Sequence, residues 1–272
     1  MAKHRARKRF GQHFLSDPGV IDAIVRAVHP TGDDIIVEIG PGQGAITDAL
    51  ARSAGHLHAV ELDRDLVARL RRRYEDKPNV TVHEADALQF DFASLGDRIR
   101  VVGNLPYNIS TPLLFHLLKF RKQIIDMHFM LQKEVVDRMA ASPGSKAYGR
   151  LGIMLGCHLN IESLFDVPPE AFDPPPEVTS AIVRLDPLPP GAFDIQDEHG
   201  LSTLVSTAFM QRRKTLRNSL KKSVETLDFE AVGIDASLRP EQVSIADYVR
   251  LSNHCLLYTS PSPRDLIAHL VC

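Results

Sequence analysis

The sequence predicts an α/β fold, a doubly wound and mostly parallel sheet with an antiparallel last strand, followed by a small helical domain. Three observations carry this. Five short β-rich apolar runs succeed one another, Ile35 to Ile39, Leu57 to Glu61, Val80 to His83, Arg100 to Gly103 and Ile124 to Leu131, with a helical or turn segment after each. Such continuously apolar runs suit strands covered on both faces, as in a parallel sheet between helical layers. Beyond the Leu-Pro-Pro-Gly stretch ending at Gly191 the pattern is helical only. At 272 residues the chain exceeds what one core usually supports. Residues 1–190 are therefore expected to form the sheet domain with a basic N-terminal arm, and residues 191–254 a helical domain.

The elements follow in order. Lys3 to Arg9 reads KHRARKR, an acid-free arm. Asp17-Pro18 is an N-cap with Pro at the first helical position, and Val20, Ile21, Ile24, Val25 and Val28 share one face of a helix ending near His29-Pro30. Helices over Arg64 to Tyr74, Ser110 to Phe120 and Lys133 to Ala141 fill later connections, and another is expected over Tyr148 to Leu159. Ile161 to Val167 and Ala181 to Leu185 read as two further strands. The Pro-rich segment between them has no room for a helical crossover, so the pair is expected to be antiparallel. Helices are expected over Leu201 to Leu220 and Val243 to Leu251. Cys255 to Asp265 reads CLLYTSPSPRD, in which Ser-Pro-Ser-Pro interrupts what should be a closing helix. The string resembles a translated sequencing adapter, so residues 255–272 are set apart as a non-native tail.

Hydrophobic residues at 44% and charged residues at 24% describe an ordinary soluble globular protein and exclude disorder as its main state. The net charge of −2 conceals an uneven distribution: KHRARKR and RRKTLRNSLKK, at Arg212 to Lys222, contain no acid, so basic faces suited to phosphates are expected. Three cysteines, at 157, 255 and 272, are too few and too scattered for a disulfide framework or a CxxC metal site. A reducing, cytoplasmic setting without a structural metal is the expectation. No apolar run approaches the roughly 18 residues of a membrane span. A mitochondrial targeting reading of the basic start competes with this location, but the arm runs directly into residues assigned to the site below.

The segment IIVEIGPGQGAIT runs a strand into Gly40, Gly42 and Gly44 before a helix, letting backbone approach a ligand at the carboxyl end of the sheet. Its spacing differs from the GxGxxG of dinucleotide binders and Glu38 precedes the first glycine, which tilts the reading away from NAD. Glu61 ends the second strand about 20 residues beyond the first glycine, where an acid can accept from both ribose hydroxyls. Asp63 and Asp65 read as caps of the next helix. Asp86, after the third strand, is placed either to accept from an adenine amino group or to cap its own loop. After the fourth strand come Asn104, Leu105, Pro106 and Tyr107. An exocyclic aromatic amine is a poor nucleophile because its lone pair is delocalised. If the Asn104 side-chain oxygen and the Leu105 carbonyl accept its two N–H bonds, the nitrogen can pyramidalise toward an electrophilic methyl. Tyr107 offers a stacking surface for an extruded base, and Phe172 in AFDPPPEV is either a second wall or a packing anchor.

On RKRFGQHFL, VEIGPGQGAIT, VELDRDL, GNLPYNISTPL, MHFMLQKEVV, SKAYGRL, FDPPPEVTSAIVRL and AFMQRRKTLRNSL, the chain from about Arg5 to His254 resembles the bacterial small-subunit (16S) ribosomal RNA adenine dimethyltransferases of the KsgA type. The resemblance implies a Rossmann-like class I methyltransferase that uses S-adenosyl-L-methionine. Its implied action is to dimethylate two adjacent adenosines in the 3′-terminal hairpin loop of 16S rRNA within the assembling small (30S) ribosomal subunit. It further implies cofactor contacts from His13, Leu15, Gly40, Glu61, Asp86 and Asn104. Asn104, Leu105 and Tyr107 would hold the target amine and Phe172 would stack on the base. His13 stands where relatives can carry Asn. For the basic stretch, Arg212, Arg213, Lys214, Arg217, Lys221 and Lys222 are the expected rRNA contacts, with the chain acting as a monomer without an obligate protein partner. Two other readings stand beside this: a large-subunit rRNA adenine methyltransferase, disfavoured by NLPYNIS and the long FDPPP segment, and a non-catalytic RNA-binding assembly factor, disfavoured by the intact Asn104, Pro106 and Tyr107.

Overall fold

The Asp17 carboxylate accepts from the Val20 N–H at 3.0 Å and Pro18 fills the first helical position, so α1 (Pro18–Val28) begins where its capping chemistry places it. It ends at His29, which takes the left-handed conformation with φ 50°. The structure is a computed structural model and describes residues 13–221 and 228–259; the arm Lys3–Arg9, Lys222 and residues 260–272 lie outside the described residues. Before α1 stands the two-residue β1 (Phe14–Leu15). After it the chain runs β2 (Ile35–Ile39), α2 (Ala45–Leu50), β3 (His56–Glu61), α3 (Arg64–Arg73), β4 (Val80–Glu84), β5 (Ile99–Asn104), α4 (Ser110–Leu118), β6 (Ile124–Gln132) and α5 (Lys133–Met139). Then come α6 (Arg150–Gly156), β7 (Leu159–Val167), β8 (Phe172–Asp173), β9 (Ser180–Pro187), α7 (Glu198–Met210), α8 (Leu216–Leu220) and α9 (Ile245–Thr259).

Seven strands form one sheet in the order β4-β3-β2-β5-β6-β9-β7. The first five are mutually parallel, and β9 runs antiparallel to both β6 and β7. The expected parallel sheet with an antiparallel last strand is thus the observed one. The strand order reverses between β2 and β5, the position where open α/β sheets form a crevice at the carboxyl ends of the strands. A separate pair, β1 with β8, joins Leu15 to Phe172 and Phe14 to Asp173.

Among the described residues packing forms two compact units, residues 13–137 with 159–187, and residues 138–158 with 188–221 and 228–259. The division after Pro187 falls three residues before the expected boundary at 190. Residues 138–158, placed by a linear reading in the sheet domain, group instead with the C-terminal unit because their apolar side chains find their core there. Tyr148, Ile153 and Cys157 pack with Leu201, Val205, Leu216, Tyr248 and Leu251. Two phenols secure that core, Tyr148 donating to the Val243 carbonyl at 3.0 Å and Tyr248 to that of Pro240 at 2.9 Å. In the first unit Ile24, Val28, Ile36, Leu50, Leu57 and Val102 pack together between sheet and helices.

Three element boundaries differ from expectation. The helix expected over Leu201 to Leu220 is two, α7 and α8, because the hydroxyl of Thr215 caps a new start by accepting from the Asn218 N–H. The helix expected over Tyr148 to Leu159 shortens to α6, since Leu159 already pairs in the sheet. α9 continues past Leu251 and past Cys255 to Thr259, so the first residues of the supposed tail belong to the closing helix. No helix among the described residues is long and apolar enough to cross a membrane.

An ion cluster ties the starts of the central strands. Arg100 of β5 donates to both carboxylate oxygens of its cross-strand neighbour Asp126, at 2.8 to 3.2 Å, to Asp34 at 3.0 Å and to the Val28 carbonyl at 2.6 Å. The guanidinium is 12% exposed. Although burial works to raise it, the Thr31 N–H and Arg100 hold the Asp34 carboxyl below the usual carboxylate range. On the β3–β4 edge, His58 Nδ1 lies 3.0 Å from His83 Nε2, beside His56. Burial, together with the charges of His56 and His83, pushes His58 down to about 4. Burial also lowers His83 and the fully enclosed His128.

Two measurements follow from this. Arg100→Ala strands the buried Asp126 carboxylate and the half-buried one of Asp34 and should lower unfolding stability by about 3 kcal/mol in a denaturant titration. Histidines held neutral when folded but free to protonate when unfolded contribute stability that is present above pH 6.5 and lost as pH falls toward 4. The unfolding midpoint should therefore drop across that window, and less so in His58→Phe.

Candidate active site

At the switch point between β2 and β5 the strand ends open into a cavity with about 1300 Å³ of non-atom space, its solvent-filled mouth included. It is lined by His13, Leu15, Gly40, Glu61, Asp86, Asn104, Leu105 and Tyr107, so eight of the residues expected at the site share one cavity. Each sits at an element's edge for a local reason. Gly40 and Asn104 terminate adjacent strands, Glu61 is the last residue of β3, and Asp86 follows β4 by two residues.

One wall is made of glycine backbone and buried carboxyls. Gly40 and Gly42 have φ of 67° and 60°, which an L side chain rarely adopts, and a Cβ on Gly42 would stand 3.0 Å from the Phe14 ring. The loop therefore presents bare backbone to the cavity. Glu61 is 8% exposed and its carboxylate accepts from the N–H groups of Leu62 and Asp63 at 2.9 Å and of Gly42 at 3.2 Å. Those bonds fix its plane, while burial still lifts the carboxyl above its usual value. Asp86 does cap its loop, accepting from the Leu88 N–H at 2.9 Å, and it also lines the cavity. Asp63 caps α3, accepting from the Asp65 N–H.

Glu38, marked in the sequence only as a departure from the dinucleotide pattern, was given no place in the cavity. It is 2% exposed, lines the same cavity, and its Oε2 is buried without a hydrogen-bond partner among the described residues. Burial pushes its carboxyl up to about 8, with the Thr47 hydroxyl opposing and Glu61 and Asp48 reinforcing the rise. An acid within an otherwise apolar strand, two residues before the first glycine, is the signal that could have marked it. A cavity with glycine backbone, two buried carboxyls and an orphaned oxygen fits a ligand carrying hydroxyls and positive charge.

The other wall is the Asn104–Tyr107 turn. The Asn104 side-chain nitrogen donates to the His13 carbonyl at 3.1 Å, and because a carbonyl can only accept, Oδ1 is left as the acceptor of that amide. The Leu105 N–H is held by the Met130 carbonyl at 3.2 Å, and the turn closes from the Ile109 N–H to the Pro106 carbonyl at 3.1 Å before α4 begins. His13 Nδ1 lies 2.9 Å from the Pro174 carbonyl, so that nitrogen carries the proton.

Phe172 is the exception among the expected catalytic residues. It is 4% exposed, pairs with Leu15 and packs into the apolar core of the sheet unit, so the structure places it as a packing anchor rather than as an open wall. The physical reason is the β1–β8 pairing, which turns its ring inward.

In the C-terminal unit, Arg213, Lys214, Arg217 and Lys221 are exposed. Arg212 is half-buried and donates to the Lys146 and Tyr148 carbonyls at 2.9 and 3.2 Å, with its guanidinium 5.8 Å from the Phe209 ring centroid. It braces its own unit. Among the described residues no group of His, Cys, Asp or Glu is arranged to hold a metal ion.

Comparison with known proteins agrees with this geometry. The family model described as Ribosomal RNA adenine dimethylase matches residues 3–256. The chain is 56% identical over 266 residues to the Ribosomal RNA small subunit methyltransferase A of Aromatoleum aromaticum, covering 98% of this chain and 99% of the relative. To the protein of the same name from Thiobacillus denitrificans it is 58% identical over 245 residues, covering 90% of this chain and 96% of the relative. Among solved structures, a dimethyladenosine transferase from Plasmodium falciparum superposes with a TM-score of 0.78 at 27% identity, covering 88% of this chain and 96% of that one. The 23S rRNA methyltransferase ErmE, at 24% identity and a TM-score of 0.72 over 89% of this chain and 99% of its own, shares the fold. On a match that spans nearly its whole length, the chain belongs to the ribosomal RNA adenine dimethylase family.

Proposed function

We propose that this chain dimethylates the exocyclic amines of two adjacent adenosines in the 3′-terminal hairpin loop of 16S rRNA, within the small (30S) ribosomal subunit, using S-adenosyl-L-methionine. The observation that carries the reading is the commitment of the Asn104 amide nitrogen to His13, which leaves Oδ1 as an acceptor at the cavity beside the Leu105 backbone. S-adenosyl-L-methionine supplies a methyl on a sulfonium, an electrophile whose bonding pair leaves with sulfur. Gly40, Glu61 and Asp86 would hold it, joined by His13, Leu15 and Asn104, and the buried Glu38 fits a cationic ligand. Asn104 Oδ1 and the Leu105 carbonyl would accept the two amine N–H bonds and turn the nitrogen lone pair toward the methyl. The proton displaced when nitrogen gains carbon passes to solvent, so no strong base is needed. Tyr107 would stack on the extruded base. Phe172 could join it only by leaving the core. Exposed Arg213, Lys214, Arg217 and Lys221, with Lys222 outside the described residues, would contact phosphates, and Arg212 would brace them.

Labelled methyl from S-adenosyl-L-methionine should reach undermethylated small subunits at four groups per subunit. Asn104→Ala should lower transfer by about 100-fold, as for loss of one preorganised polar contact, while subunit binding is retained. Binding without transfer by the unaltered chain would instead indicate an assembly factor, and transfer only to large-subunit RNA would indicate the other substrate. Subunit affinity should fall steeply with added salt, and the Arg213→Ala/Lys214→Ala pair should flatten the log–log slope by about 1 to 2, one counterion per lost phosphate contact.

A further inference from the structure

We propose that Ser180 is a positioning residue for the target base, acting through Tyr107, and that it governs how completely a monomethylated amine proceeds to the dimethylated one. The inference rests on the function proposed above. The Tyr107 phenol oxygen lies 2.9 Å from Ser180 Oγ. Ser180 is fully buried and opens β9, where it pairs with Gln132 of β6 on one side and Val167 of β7 on the other. Its hydroxyl is therefore anchored in the sheet and not in a loop. Tyr107 is only half-buried and lines the cavity. Its ring has one further neighbour, and its backbone is pinned by a separate contact. The His13 ring lies 6.2 Å away at 24°, itself fixed through Nδ1 to the Pro174 carbonyl, and the Ser110 hydroxyl donates to the Tyr107 carbonyl at 3.1 Å. Without Ser180 the phenol end is released while the backbone stays fixed, so the ring is free to pivot at its side-chain torsions.

The consequence differs between the two transfers. An unmodified adenine amine has two N–H bonds, one each for Asn104 Oδ1 and the Leu105 carbonyl. After one methyl has been added a single N–H remains, so one of those restraints is lost and the base depends more on the stacking surface for its orientation. Loosening Tyr107 thus falls more heavily on the second transfer than on the first.

The test uses the full chain and undermethylated small subunits, with monomethyl- and dimethyladenosine quantified by mass spectrometry under single-turnover conditions. In Ser180→Ala the second transfer should slow by about tenfold, the net worth of one hydrogen bond, and the first by much less, so that monomethyladenosine accumulates. The dissociation constant for S-adenosyl-L-methionine should stay as in the unaltered chain, and unfolding should remain cooperative with a midpoint lowered by no more than the loss of one hydrogen bond. Tyr107→Phe, which keeps Ser180, should give the same product shift, and the double variant should be no worse than either single one. An unchanged ratio of the two products in both folded variants, or equal slowing of both transfers, overturns the role of Ser180. Failure of the unaltered chain to methylate adenosine at all would overturn the proposed function instead, which separates the two failures.

Discussion

A carbonyl oxygen can accept a hydrogen bond but not donate one, and the orientation of Asn104 depends on that asymmetry. The carbonyl in question belongs to His13, one residue before β1, so the chemistry of a loop after β5 is set by a segment far away in sequence. That segment is itself held on several sides. Leu15 pairs with Phe172, the N–H groups of Ser16 and Asp17 both donate to the Ala171 carbonyl, and the Asp17 side chain starts α1. α1 then packs through Ile24 and Val28 into the core beneath the cavity. Asn104 is thus fixed by a continuous path of backbone pairing and apolar packing. Phe172 contributes to the site from inside that path.

The charges of the sheet unit are segregated along its strands. β5 begins near the Arg100–Asp126–Asp34 cluster and ends four residues later at Asn104, a span of roughly 13 Å at strand geometry. At the first end three charges satisfy one another. At the second, Glu38 and Glu61 are buried with no cation among their hydrogen-bond partners in the described residues, and burial lifts both. Breaking the paired charges would leave buried ones uncompensated, whereas carboxyls whose ionisation burial opposes are of the kind that gathers at functional sites.

Much of this was legible because it is written in short-range chemistry. Asp17-Pro18 specifies a helix start through a carboxylate and a fixed φ, and the strand at Ile35–Ile39 announces itself by being apolar at nearly every position. The glycine loop and the Asn104–Tyr107 turn are also local signals. What escaped is non-local. Two-residue strands such as β1 and β8 have no periodicity to detect, yet their pairing decides that Phe172 points inward. The membership of residues 138–158 in the second unit depends on partners from Leu201 onward, and Ser180, one residue before the strand expected at Ala181, carries no local signal until Tyr107 is seen beside it. The acid at Glu38 was legible as a departure from the dinucleotide pattern, but its burial against the cavity was not.

The place of β9 has a consequence for how the chain is made. β7 is synthesised first but lies at the sheet's outer edge, where its hydrogen-bonded neighbour is β9. As the polypeptide emerges from its N-terminus, the five parallel strands can assemble in turn, but β7 must wait without a partner until Ser180 to Pro187 have cleared the exit tunnel and slipped in between. The last strand produced is the one that closes the sheet, and it also brings the hydroxyl against Tyr107. Completion of the sheet and completion of the site are therefore a single event in the birth of the molecule.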